Sequence, residues 1–305
     1  MFLFIYIILF SVSDEDYVNI WKLDLNVPVI AFPVDRCVAS IKFKPHLLLA
    51  CGHTTGIITT WDLNLIDVLT SVQLLSGLTN NNLLLFKKFK MHAGPVFGCD
   101  YSIKLDLLVS GGADDCIKLW CLSSGLILKS LLNQGHWVLR VALLPAPHGS
   151  SHNIIVSNTR DGVSKLIWPS SVTCENKLEQ MCGSNDKSTS DRMGDIDKIE
   201  VEYSVKLNEE GTNFFTPQLQ VGTDYCAFIK QDADMKYAYL NICDLETFKQ
   251  IHNVPLGFKV TKLLAIGNRF ALMLSPGSEL YTSKLITLDI FNGKIVGEHL
   301  IPHSK

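Results

Sequence analysis

Two stretches of the 305-residue chain set a histidine, a serine, an aspartate and a tryptophan in the same order: His92, Ser110, Asp114, Trp120, and His136, Ser157, Asp161, Trp168. In both, the aspartate follows the serine by four residues (110 to 114, 157 to 161). A serine, a histidine and an aspartate held together can form the relay that activates a hydroxyl nucleophile. The same groups can instead serve structure. A histidine needs an oriented acceptor, and an aspartate in a tight turn supplies one. An indole N–H can join that network while its ring fills space between sheets. Because the set recurs, each time completed by a tryptophan, the structural role is the expected one. No residue is assigned a catalytic role. The nine histidines and nine cysteines show no H-E-x-x-H and no zinc spacing, so no metal site is argued. No glycine-rich phosphate loop or other cofactor motif occurs, and Gly111-Gly112 reads as part of a turn.

Groups so placed need elements to hold them, and the tryptophans mark those elements. Four of the five share one context: Asn19-Ile-Trp21, Thr59-Thr-Trp61, Lys118-Leu-Trp120 and Leu166-Ile-Trp168. Each ends a short β-prone run after a turn-rich cluster. Cys243 (in Leu240-Asn-Ile-Cys243-Asp244) and Leu288 (in Leu285-Ile-Thr-Leu288-Asp289) keep the pattern without the ring. A recurrence of roughly 40–45 residues with a Trp-Asp ending marks a four-stranded repeat. The two longest intervals contain inserts, about Ser71 to Leu85 and about 173–198. The second is poor in apolar residues and is expected to be a long surface loop.

Between anchors the runs read as strands: Cys37 to Phe43, Leu47 to Cys51, Gly56 to Trp61, Val96 to Tyr101, Leu107 to Ser110, Cys116 to Trp120, Val138 to Leu144, Ile154 to Ser157 and Val163 to Trp168. No stretch sustains a helical apolar period, so the expected class is all-β with almost no helix. The opening run Met1 to Phe10 is uncharged and apolar. It is too short to span a bilayer and lacks the flanks of a signal peptide, so residues 1–12 read as a separate segment, a buried strand or a spurious start. The repeats then occupy 13–300.

Composition supports a large core, with 47% hydrophobic and 19% charged residues. The net charge of −3 argues against a nucleic-acid surface, and no membrane association is expected. The tract Phe86-Lys-Lys-Phe-Lys90 alternates like an outer strand with one solvated face. Nine cysteines, an odd number without paired spacing, read as reduced thiols. With no Asn-x-Ser/Thr sequon, the expected compartment is the cytoplasm or the nucleus.

These residues resemble the WD-repeat β-propeller family. The most regular unit is His92-Ala-Gly-Pro-Val96, Val109-Ser-Gly-Gly-Ala-Asp114 and Ile117-Lys-Leu-Trp120; the next is Gly135-His136, Val156-Ser157-Asn-Thr-Arg-Asp161 and Leu166-Ile-Trp168. The resemblance implies about six visible blades of a seven-bladed type, with each His-Ser-Asp-Trp set forming a hydrogen-bonded tetrad. Over about 80 residues around His92 to Leu131 and Trp168-Pro169, the chain is similar to the F-box/WD-repeat proteins. That implies the substrate-recognition part of a cullin-RING ubiquitin ligase subunit. The partner is then a protein substrate, with the ligase adaptor a partner only if an F-box is present in the full-length protein. No helical F-box segment is legible ahead of the first repeat, so the chain is expected to be a fragment lacking the F-box and a terminal blade. The alternative is a WD-repeat scaffold with no ligase link. A partner is expected on the face where Phe97, Ala113, Leu139 and Arg160 converge, with Arg160 reading an acidic group.

Overall fold

The computed structural model describes residues 8–12, 17–22, 28–33, 38–44, 48–63, 83–90, 92–131, 134–144, 146, 152–159, 162–169, 200–206, 219–222, 224–231, 238–277 and 282–302. These residues are all-β; none of them is helical, so none forms a helix long and apolar enough to cross a membrane. The first sheet holds β1 (Ile8–Val12), β2 (Tyr17–Lys22) and β3 (Pro28–Pro33). The second holds β4 (Val38–Lys44), β5 (Leu48–His53), β6 (Ile57–Leu63) and β7 (Leu83–Lys90). The third holds β8 (Val96–Ser102), β9 (Leu107–Gly112), β10 (Ile117–Cys121) and β11 (Ile127–Leu131). Then come β12 (Val138–Leu144), β13 (His152–Thr159), β14 (Gly162–Pro169) and β15 (Glu200–Lys206). The fifth sheet holds β16 (Leu219–Val221), β17 (Tyr225–Gln231), β18 (Ala238–Asp244) and β19 (Gln250–Leu256). The last holds β20 (Lys262–Ile266), β21 (Phe270–Pro276), β22 (Thr282–Asp289) and β23 (Ile295–Pro302). Strands follow one another in chain order within each sheet.

The described part of the opening segment, Ile8 to Val12, is a strand. β1 pairs antiparallel with β2 along its length, Ile8 opposite Lys22 through Val12 opposite Val18. Its β-branched and aromatic residues favour an extended chain, and residues 8–12 belong to the same sheet as β2 and β3. The insert expected at about 173–198 lies outside the described residues, as does 71–82 of the earlier one.

Each anchor falls on the next-to-last strand of its sheet: Trp21 on β2, Trp61 on β6, Trp120 on β10, Trp168 on β14, Cys243 on β18 and Leu288 on β22. In five of the six sheets the pairing with the last strand slips at the step into that residue: Ile20/Trp21, Thr60/Trp61, Leu119/Trp120, Ile242/Cys243 and Thr287/Leu288. In the remaining sheet it slips at Lys165/Leu166, just before Trp168. A bulge at a fixed place bends and twists the strand there, so the sequence anchor is also a geometric one. The turn after this strand also repeats. Gly125, Phe248 and Gly293 donate their N–H to the carbonyls of Cys121, Asp244 and Asp289, at 2.8–2.9 Å, and all three have positive φ, 79°, 55° and 68°. Phe248 holds the left-handed conformation without being glycine because its ring is wholly buried.

The strands form two compact units, one of β1 to β12 and the other of β13 to β23. In the first, β8, β9 and β10 are buried on both faces almost throughout, while β11 is largely half-exposed. An inner strand covered on both sides needs apolar residues at consecutive positions, as in Leu107-Leu-Val109. The core there includes Ala50, Ile58, Phe89, Val96, Tyr101, Leu108 and Trp120. Phe89 meets Trp120 edge-on at 5.5 Å. In the second unit, Leu240, Ile242, Leu263, Ala271, Met273 and Leu288 belong to one core.

Candidate functional site

His92 sits in the connection before β8, where two backbone bonds fix the chain. His92 N–H donates to Gly56 O at 3.3 Å, and Ala113 N–H donates to Pro95 O at 2.9 Å. The ring thereby lies between β9 and the β9–β10 turn. His92 Nδ1 is 2.7 Å from Asp114 Oδ1, and Nε2 is 2.7 Å from Ser110 Oγ. Trp120 Nε1–H donates to the same Ser110 oxygen at 2.9 Å. These distances fit one directed chain of donors: Trp120 N–H to Ser110, Ser110 O–H to His92 Nε2, His92 Nδ1–H to Asp114. That chain needs a neutral imidazole, because a proton on Nε2 would leave the serine hydroxyl with no acceptor. Ser110 is wholly buried and its hydroxyl already engaged, so the serine is in no position to attack a substrate.

The electrostatics agree. Burial holds the His92 pKa below its ordinary 6.5, partly offset by the Asp114 bond. Burial alone would raise the Asp114 carboxyl. Bonds from His92, from Ala93 N–H at 3.1 Å and from the largely buried Lys118 Nζ at 3.2 Å keep it below its ordinary 3.8. Both groups therefore bind fewer protons folded than unfolded, which makes stability fall with acid. His92's contribution is complete above pH 6.5 and is lost as pH falls below it; Asp114's is lost only below 3.8. Asp114→Ala should lower stability by about 1–3 kcal/mol by leaving a buried donor unpaired. His92→Gln should flatten the dependence of the urea midpoint on pH between about 7.5 and 5, relative to wild type. Parallel pH curves for the two proteins would contradict the neutral buried imidazole.

The second expected set is not assembled at its serine. Ser157 Oγ on β13 is buried with no hydrogen-bond partner. His136 is half-buried. Asp161 and Arg160 lie outside the described residues, and so does the side chain of Trp168. A different network stands where none was expected. His53 Nε2 shares a 2.8 Å hydrogen bond with Thr59 Oγ1, and Trp61 Nε1–H donates to the same oxygen at 3.1 Å. The serine position ten residues before the tryptophan is here Cys51. A thiol is the poorer acceptor, and the neighbouring threonine takes the indole proton instead.

Of the residues expected on the partner face, Phe97, Ala113 and Leu139 are all half-buried. Phe97 packs on Trp137, with ring centroids 5.7 Å apart, and Trp137 is 52% exposed. Two glycines bring their strands together. A Cβ on Gly98 would lie 2.8 Å from Arg140 Cα, and one on Gly111 would lie 2.3 Å from Val138 Cγ1. β12 therefore approaches β8 and β9 closely, with Asp100 Oδ2 accepting Leu143 N–H at 2.9 Å. This places Trp137, just before β12, beside Phe97, with the exposed Arg140 three residues on. Sequence reasoning missed Trp137, although the signal was available: it is the only tryptophan of the five that is not an anchor. Among the described residues no three His, Cys, Asp or Glu side chains gather as a metal-ligand set.

No protein-family model matches the chain, and no curated protein matches it. Solved structures do, 1322 chains in all. One of these is the crystal structure of the computationally designed Ika8 protein. It shares 13% identity and a TM-score of 0.54, over 96% of this chain and 83% of that one. At that identity the likeness concerns the fold alone, an all-β chain of antiparallel sheets.

Proposed function

We propose that the chain is a WD-repeat β-propeller module that holds protein partners, and that it serves as the substrate-recognition part of an F-box/WD-repeat subunit of a cullin-RING ubiquitin ligase. The observation that carries the propeller reading is the Trp120–Ser110–His92–Asp114 network. It joins a turn, an inner strand and an anchor in the way the resemblance implies. The ligase link rests on the resemblance of the segment around His92 to Leu131. The partner face is built on Phe97 and Trp137, a large, rigid aromatic pair with low ordering cost. Arg140 supplies a cation beside it, and Arg160 is the further cation expected there.

Affinity capture of the full-length protein from cells tests this reading. Recovery of the ligase adaptor and cullin with it, together with substrates that become ubiquitinated, is the expected result. Partners recovered without adaptor or cullin would point to a plain scaffold. For any captured partner, Trp137→Ala should weaken binding by about 2 kcal/mol or more, roughly thirtyfold, with little change in the thermal midpoint. Unchanged affinity would remove Trp137 from the interface.

A further inference from the structure

The second unit carries two cysteines in a relation that no other described cysteines share. β17 and β18 are antiparallel, and Cys226 stands directly opposite Cys243, between the pairs Tyr225/Asp244 and Ala227/Ile242. Residues directly opposite in an antiparallel pair have Cα atoms about 4.5–5.5 Å apart, with side chains on one face. Disulfides span about 4.4–6.8 Å. Both thiols are free and buried. The remaining described cysteines are engaged differently. Cys99 Sγ donates to Ala50 O at 3.8 Å, Cys116 Sγ to Asp114 O at 3.0 Å and Cys121 Sγ to Asp106 Oδ2 at 3.2 Å. Cys51 lies near enough to Cys99 for the two to interact electrostatically, but its cross-strand partners in register are Ile41 and Thr59, neither of them a cysteine.

We propose that Cys226 and Cys243 are a peroxide-sensitive dithiol that closes reversibly to a cross-strand disulfide joining β17 to β18. Cys243 is the attacking sulfur. The neighbouring Cys226 thiol draws its pKa down, while that of Cys226 is pushed up. Cys243 also lies one residue from the end of β18, beside the exposed turn at Glu246 and Thr247, where a water-sized oxidant enters with least opening of the sheet. The Cys243 thiolate attacks one oxygen of hydrogen peroxide and the O–O bond breaks. Cys243 becomes a sulfenic acid, and the departing hydroxide takes the thiol's proton to become water. The Cys226 sulfur then attacks the Cys243 sulfur and the S–O bond breaks. A second water leaves with the Cys226 proton. Two thiols are oxidised by two electrons in all, and one peroxide is reduced to two waters.

The test uses the full chain, reduced and then titrated with hydrogen peroxide, quenched by alkylation under denaturing conditions and digested without reductant. The expected product is one peptide pair linked through Cys226 and Cys243, lighter by two hydrogen atoms and released by dithiothreitol, with Cys51 still alkylated. In Cys226→Ser, dimedone should trap a sulfenic acid at Cys243 that is absent from the wild type, where it is resolved. The proposal is overturned if Cys226 and Cys243 stay alkylatable while methionines oxidise. Linkage of either one to Cys37, Cys174 or Cys182 overturns it as well, and so does equal dimedone labelling in wild type and variant. If the variant does not fold, the linked peptide in the wild type decides by itself.

Discussion

Replacing Trp120 by alanine should lower stability by about 3–5 kcal/mol, the range for truncating a fully buried aromatic. Only 2% of the residue is exposed. Its ring meets Phe89 edge-on and lies in the core shared by Ala50, Ile58, Val96 and Leu108, so the cavity would open between β6 and β10. Its N–H also completes the network through Ser110. Two substitutions separate the contributions. Trp120→Phe keeps most of the ring and loses the donor, and should cost about 1–2 kcal/mol. Trp120→Ala loses both. Urea midpoints should therefore fall in the order wild type, Phe, Ala. Hydrogen exchange should show the added opening in β8, β9 and β10. Equal losses for Phe and Ala would mean that the indole N–H, rather than its packing, dominates.

The inner strands could be read from the sequence because their burial writes itself into consecutive apolar residues. Leu107-Leu-Val109 and Ile154-Ile-Val156 have no polar residue to spare for a solvated face, and both lie in strands. The anchors at Cys243 and Leu288 were legible without tryptophan because the bulge needs a buried side chain there, not an indole. Last strands were mostly missed. β11 and β19 mix buried and exposed positions and resemble loops in composition, since only one side of them meets the core. The site divided in the same way. The order of residues around His92 was enough to name the three other members of its network. The same order around His136 was not, because a hydrogen bond depends on where the strands place the atoms, and Ser157 has no partner. The His53–Thr59–Trp61 network was hidden because its serine position holds Cys51 and its acceptor comes from the following strand. Trp137 was hidden because strand patterns say nothing about a residue standing just outside a strand.

Gly56→Ala should cost about 2–5 kcal/mol, for two reasons that a second substitution separates. Gly56 ends the turn between β5 and β6 at φ +80°, donates its N–H to His53 O at 3.2 Å and accepts His92 N–H at 3.3 Å. A Cβ at this φ costs about 1–2 kcal/mol from its own carbonyl. It would also lie 2.2 Å from His92 O and 3.2 Å from Gly94 O, both backbone atoms that cannot rotate away. Moving them adds about 1–3 kcal/mol, and it displaces the segment that holds the imidazole against Asp114 and Ser110. Gly135 has nearly the same φ, +85°, with nothing within 4 Å of its missing Cβ. Gly135→Ala should therefore show the dihedral cost alone, about 1–2 kcal/mol. The excess at Gly56 measures how tightly the β5–β6 turn clamps the His92 segment. That excess should shrink in a His92→Gln background, because part of the loss is the imidazole network itself. Equal costs at Gly56 and Gly135 would show that the His92 segment yields freely and that the network does not depend on this contact.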